Sequence, residues 1–149
     1  MAYNFGAKQY KRVKETYYIM IRFALIVGLI ETFCFWVFPN QILNIFGDGV
    51  EGYGEFALLY MHVYMFLVVL SGVTPPTMNA LSSIKQPKKG IVISLSKQLT
   101  LITLLLVLPR LRGIYGVLYA GPIADFLACA ISLTVIGREF KKLEMSVQN

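Results

Sequence analysis

The chain has 149 residues, of which 56% are hydrophobic and only 15% charged, and its mean hydropathy is +0.62. A soluble domain is about half apolar and about one quarter charged, so this balance excludes an ordinary soluble globule. A formal charge of +6 would suggest nucleic acid in a soluble protein; here the basic residues fall between long apolar blocks, where they set topology, and no nucleic-acid partner is expected.

Residues 1–16, MAYNFGAKQYKRVKET, are polar and basic, with Tyr3, Phe5 and Tyr10 among the charges. They lack the apolar core and small-residue cleavage site of a signal peptide. The segment reads as a cytoplasmic amphipathic lead-in lying near the headgroups. A four-helix transmembrane bundle is then expected over residues 17–137. Its four apolar blocks each suit the roughly 20 helical residues that cross about 30 Å of hydrocarbon.

The first span runs over 17–38, and Pro39 ends it by breaking the hydrogen-bond ladder. Arg22 lies near enough to the cytoplasmic end to snorkel. Glu31 is deeper. Ala24, Gly28 and Thr32 form a row of small residues, where membrane helices approach closely, and Glu31 borders that row. Glu31 is therefore expected to face protein, either as structural glue or in a functional role. Residues 39–55 read as an outside loop holding Asp48, Glu51 and Glu55 among several glycines, with no Lys or Arg.

The second span covers 56–82 and carries His62 as its only titratable side chain apart from tyrosines. His62 reads as an interfacial or core histidine, with a proton relay as the sharper alternative. Gly72, Pro76, Asn79 and Ser83 share one helical stripe. Pro75 and Pro76 remove two backbone donors, so the carbonyls they free need partners, and this face is expected to point at neighbouring helices or a water-filled cavity. The kink is either structural or lines a substrate path. A short loop with Lys85, Lys88 and Lys89 follows.

The third span covers 90–108, with Gly90, Ser94, Lys97 and Gln98 on one stripe and Pro109-Arg110 as its outer end. The fourth covers 114–136, with Gly121, Asp125, Ala128 and Ser132 on one stripe and Pro122 as a kink near its start. Residues 138–149 form a basic, then polar, cytoplasmic tail. Cys34 and Cys129 lie inside apolar blocks and read as small buried hydrophobes, not as a disulfide or metal pair. Serines within spans are expected to bond back to their own helices.

Counting Lys and Arg fixes the expected orientation. One side holds Lys8, Lys11, Arg12, Lys14, Lys85, Lys88, Lys89, Arg138, Lys141 and Lys142, and the other only Arg110 and Arg112. Ten against two places both termini in the cytosol. An isolated charge in mid-membrane costs at least about 2.5–3.5 kcal/mol, so Asp125 needs a partner. Lys97 lies about 10 Å from the cytoplasmic face at ~1.5 Å per residue, within reach if the last two spans are antiparallel. The expected contact is Asp125 with Lys97 or with Gln98. It serves as structural glue or takes a direct part in ion coupling. No Gly-rich phosphate loop, metal-spaced Cys/His set or Ser-His-Asp set in a soluble site is present, so an enzyme is not expected, nor a metal or cofactor.

Five motifs in order resemble the multidrug and toxic compound extrusion (MATE) family of transporters. They are Asn4-Phe5-Gly6-Ala7 with Arg12; Pro39-Asn40-Gln41-Ile42-Leu43 through Ile45-Phe46-Gly47; Gln86-Pro87-Lys88-Lys89; Lys97-Gln98; and Gly116-Val117 through Ala120-Gly121-Pro122-Ile123-Ala124-Asp125. Two positions differ. The family often has glycine where Lys85 stands, and arginine where Lys97 stands; lysine keeps the charge but loses the forked donor geometry.

The resemblance implies an all-α chain supplying the last four of twelve helices, in the carboxy-terminal of two six-helix lobes. Its partners would be the lipid bilayer, small organic substrates, the amino-terminal lobe and the first two helices of its own lobe. It further implies export of organic, often cationic compounds by alternating access, in exchange for Na⁺ or H⁺, from a multi-pass position in the plasma membrane. A lone four-helix piece, a fragment or truncated product starting at an internal Met1, has no second lobe to rock against and is not expected to act alone. The candidate substrate or ion pathway residues are Asp125, Lys97, Gln98, Glu31, Asn79, Pro75, Pro76 and His62. Two alternatives remain: a self-sufficient four-helix multidrug pump acting as a dimer around Glu31, resembling the small multidrug resistance family, and a non-transporting membrane subunit.

Overall fold

The computed structural model describes residues 1–45 and 53–148, and every described element is helical. In chain order these are α1 (Ala2–Gly6), α2 (Tyr10–Val37), α3 (Pro39–Ile45), α4 (Tyr53–Phe66), α5 (Val68–Ser71), α6 (Thr74–Ser83), α7 (Pro87–Arg112) and α8 (Tyr115–Gln148). Asp48 and Glu51 of the expected outer loop lie outside the described residues, as does the Phe46-Gly47 end of the second family-like motif.

Among the described residues three helices, α2, α7 and α8, are long and apolar enough to cross a membrane. The expected second span, 56–82, is not one rod. It is a pair, Phe56–Met65 and Val68–Ser83, bent by 49°, and it makes a fourth crossing only if the two arms count together. In their most apolar windows α2 and α7 are each 6% buried and α8 is 44% buried, so α8 is the central post and the other two are flanks.

The break does not fall at Pro75-Pro76, as expected from the sequence. It falls at Leu67 and at Gly72-Val73, and the prolines sit in the first turn of α6. First-turn residues have no intrahelical acceptor for their N–H groups, so proline loses little there. Hydroxyls serve the carbonyls around the break. Ser71 Oγ donates to Val68 O at 2.7 Å, Thr77 Oγ1 to Val73 O at 2.8 Å, and Thr32 Oγ1 reaches across from α2 to Met65 O at 3.2 Å.

The small-residue row of α2 packs where expected, against this broken joint. A Cβ at Gly28 would meet Val69 Cα at 3.0 Å, and one at Gly72 would meet Ala24 O at 3.4 Å. Such close approach is what glycine permits between membrane helices.

Two lysines take left-handed backbone conformations, Lys8 at φ 58° and Lys85 at φ 60°. Both close a helix in the same way. Lys85 N–H donates to Ser82 O and Gln86 N–H to Leu81 O, while Lys8 N–H donates to Phe5 O and Gln9 N–H to Asn4 O. These paired bonds are the Schellman closure, whose left-handed position usually holds glycine. The tight turn therefore forms at Lys85 despite its Cβ.

Other boundaries differ from expectation. The lead-in is not a separate segment: α2 begins at Tyr10, and α1 folds back so that Met1 and Phe5 pack on the core. Residues 39–45 are helical, with Pro39 at the start, where proline is favourable. Pro109 does not end α7; the helix runs on to Arg112, and Gly113 closes it at φ 60°, ψ −149°. α8 continues through Pro122 and past the expected limit at 136.

The core gathers at the basic end. Val13 and Tyr17 of α2, Ala80 and Leu81 of α6, Ile84, Ile93 of α7, and Ile136 and Phe140 of α8 form one buried cluster. Tyr17 and Phe140 meet edge-on at 5.2 Å, and the Tyr17 hydroxyl lies 2.9 Å from Thr77 Oγ1. At the charged end of a membrane bundle the alternative surroundings are water, so each large apolar side chain buried there gains about 1.5–3 kcal/mol. Deeper in the bilayer lipid is as apolar as protein, and close packing of small residues takes over. Ala120, Ala124 and Ala128 on the buried face of α8 fit that second regime.

Candidate functional site

α7 and α8 are joined by Gly113 and Ile114 alone and run antiparallel. Three pairings down the seam fix the register: Gly116 against Leu108, Lys97 against Asp125, and Lys89 against Glu139. A Cβ at Gly116 would lie 2.4 Å from Leu108 O, so only glycine lets α8 start this close. One turn before Asp125, Gly121 seats the ring of Tyr64, whose Cε2 would lie 2.4 Å from an added Cβ.

The expected partner of Asp125 is present. Lys97 Nζ lies 2.5 Å from Asp125 Oδ1, with the Asp125 side chain 8% exposed and that of Lys97 32% exposed. The contact is an ion pair without hydrogen-bond geometry at Oδ1. Gln98, the alternative partner, is exposed. The reason is rotational. The buried face of α7 carries Gly90 and Ile93, with Lys97 half-buried in line, whereas Ser94 and Gln98 of the expected stripe are turned out. On α8 the expected stripe is the buried one, since Asp125, Ala128 and Ser132 are all enclosed. The hydroxyls of Ser132 and of Thr74 on α6 are buried with no hydrogen-bond partner among the described residues. Chemically the seam offers an enclosed carboxylate whose counter-ion has partial access to the surroundings.

The other candidates do not join this seam. Glu31 was expected to face protein but is exposed and has no ion-pair or hydrogen-bond partner among the described residues. It borders a groove of about 210 Å³ with Gly28, Ser71 and Gly72. Gly28 takes the direct contact with α5, and Glu31 stands at its edge. Asn79 and Pro75 are exposed and Pro76 is half-buried, because α6 buries the opposite face, Thr74, Thr77, Ala80 and Leu81. His62 is exposed; its Nδ1 lies 2.7 Å from Leu58 O of its own helix, and its ring is 5.9 Å from Trp36. Cys129 is buried as expected, but Cys34 is exposed. Among the described residues no three His, Cys, Asp or Glu side chains gather as a metal site.

Glu139 escaped the sequence reading. It receives Lys89 at 2.7 Å and Lys142 at 3.2 Å, and its side chain is 10% exposed. A signal was available, since it is the one acid among Arg138, Lys141 and Lys142, at the end where Lys88 and Lys89 must lie. Lys14 pairs with Glu144 at the same end. The lead-in, the 85–89 turn and the tail thus meet at one end of the bundle.

Comparison with known proteins adds one match. A family model described as MatE covers residues 1–107, from α1 through most of α7. It includes Lys97 and stops before Asp125. No curated protein and no solved structure matches the chain.

Proposed function

Because the chain belongs to the MatE family of multidrug efflux transporters, we propose that it forms four membrane crossings of an exporter in the plasma membrane. In this reading α4, α5 and α6 together make the fourth crossing, and both termini lie in the cytosol. The exporter trades organic, often cationic compounds for Na⁺ or H⁺ by alternating access between two six-helix lobes. This chain supplies the last four helices of one lobe and is not active alone. The members of such a family move solutes and are not enzymes.

The family match carries the reading, and the geometry supports its topology. The basic segments gather at one end through Lys89–Glu139 and Lys14–Glu144, as an even number of crossings requires. Arg110 and Arg112 lie at the other end of α7. Exposed Asn79, and Glu31 at the edge of its groove, are polar groups that further helices of a lobe would cover. Lys97–Asp125 serves first to clamp α7 to α8.

Ethidium efflux tests this in cells lacking their own multidrug pumps, with the chain expressed alone or together with the missing helices of a MatE-family protein. Efflux is expected only in combination, and it collapses when the Na⁺ or proton gradient is dissipated. No efflux from the combination would overturn the exporter reading. Efflux by the chain alone, abolished by Glu31→Gln, would instead favour a small dimeric pump, which the Glu31 carboxylate, without a partner among the described residues, makes the second reading.

A further inference from the structure

We propose that the cytoplasmic mouth of the α7–α8 seam binds the headgroup of an anionic phospholipid. A groove of about 360 Å³ opens there, rimmed by Lys88, Lys89, Arg138 and Lys142. Glu139 is its one acid, and four cations against one carboxylate leave three positive charges. Glu139 does not repel an anion from this rim, since it is already shared between Lys89 and Lys142. It acts as a positioning residue that holds those two ammoniums at the mouth. Lys88 and Arg138 have no ion-pair partner among the described residues. Lys88 and Lys89 also stand in the first turn of α7, at the positive end of its helix dipole.

The foot of the groove is apolar, and this selects a lipid over a soluble anion. Val92 and Ile131 are exposed below the rim and Val135 is half-exposed. Val135 lies about 4.5 Å and Ile131 about 10 Å deeper than Arg138 along α8, at ~1.5 Å per residue. A phosphodiester at the rim would lay its acyl chains over these side chains. Free phosphate would use the rim and leave the foot bare. Basic pockets between membrane helices on the cytoplasmic side take anionic headgroups by this combination.

The proposal rests on the membrane-spanning reading, which alkaline carbonate extraction tests separately. A chain released by carbonate sinks that reading, whereas a retained chain without lipid preference sinks only the site. The probe is phosphatidylglycerol added to the purified chain in phosphatidylcholine nanodiscs, read by native mass spectrometry and by the thermal midpoint. Phosphatidylglycerol should stay bound and raise the midpoint, while inorganic phosphate should neither raise it nor displace the lipid. The double substitution Lys88→Gln with Arg138→Gln should weaken retention by about 25-fold, roughly fivefold for each surface charge removed. The double substitution Arg110→Gln with Arg112→Gln, at the opposite end, should retain the lipid as the parent does. Equal retention of both lipids, displacement by phosphate, or equal losses in the two double variants would overturn the proposal.

Discussion

Gly28 of α2 and Val69 of α5 approach so closely that a Cβ on Gly28 would meet Val69 Cα at 3.0 Å. The atom met is backbone, so the joint itself must give way. Gly28→Ala should cost about 1–3 kcal/mol by overpacking, and Gly28→Leu should cost more. The thermal midpoint in detergent reads the loss. Gly6→Ala, with open space around it, provides the comparison.

Lys97 and Asp125 should show strong coupling. Removing one partner of an enclosed pair strands the other charge, which in fully buried cases costs about 3–5 kcal/mol. Lys97 is about one third exposed, so Lys97→Gln or Asp125→Asn alone should cost about 2 kcal/mol. The double variant should cost less than the sum of the two. Additive losses in a double-mutant cycle would show that the pair contributes nothing as a pair.

Lys85 occupies a left-handed position at φ 60° that glycine adopts freely. Lys85→Gly should stabilise the chain by about 0.5–1 kcal/mol, the relief of strain less the extra freedom of glycine in the unfolded chain. Lys85→Val should destabilise it, because a β-branched residue tolerates this conformation worst. Denaturant midpoints of the two variants against the parent decide it.

Glu139 lies beyond the apolar stretch that ends at Ile136, in the charged extension of α8. The Lys89 ammonium holds its carboxyl below the usual carboxylate range; burial opposes this and Lys142 reinforces it. The folded carboxyl thus ionises more readily than the unfolded one. Its contribution is complete above the unfolded value of about 4.3 and fades as pH falls through the lower folded value. Melting followed from pH 7 to pH 3 should show an acid-side loss that Glu139→Gln reduces, with the variant already weaker at pH 7.

Much of this architecture was readable from residue order. The three long apolar helices, the close-packing row of Ala24, Gly28 and Thr32, and the meeting of Lys97 with Asp125 all follow from periodicity and depth. The break in the second block was not readable, because proline marks a helix start as readily as a helix end, and only tertiary packing decides which. The Asn79 stripe misled for a related reason. Polarity alone does not tell which face of α6 is enclosed when Thr74 and Thr77 offer a polar alternative. Glu139 was hidden because its meaning depends on which helix lies beside it.

The two-residue joint at Gly113 and Ile114 has one more consequence. With α8 wedged against α7 at Gly116 and tied to it at two further levels, the pair has no hinge of its own. It is braced as a single unit. A rearrangement that keeps those ties moves α7 and α8 together and falls on their contacts with the bent arm of α4, α5 and α6.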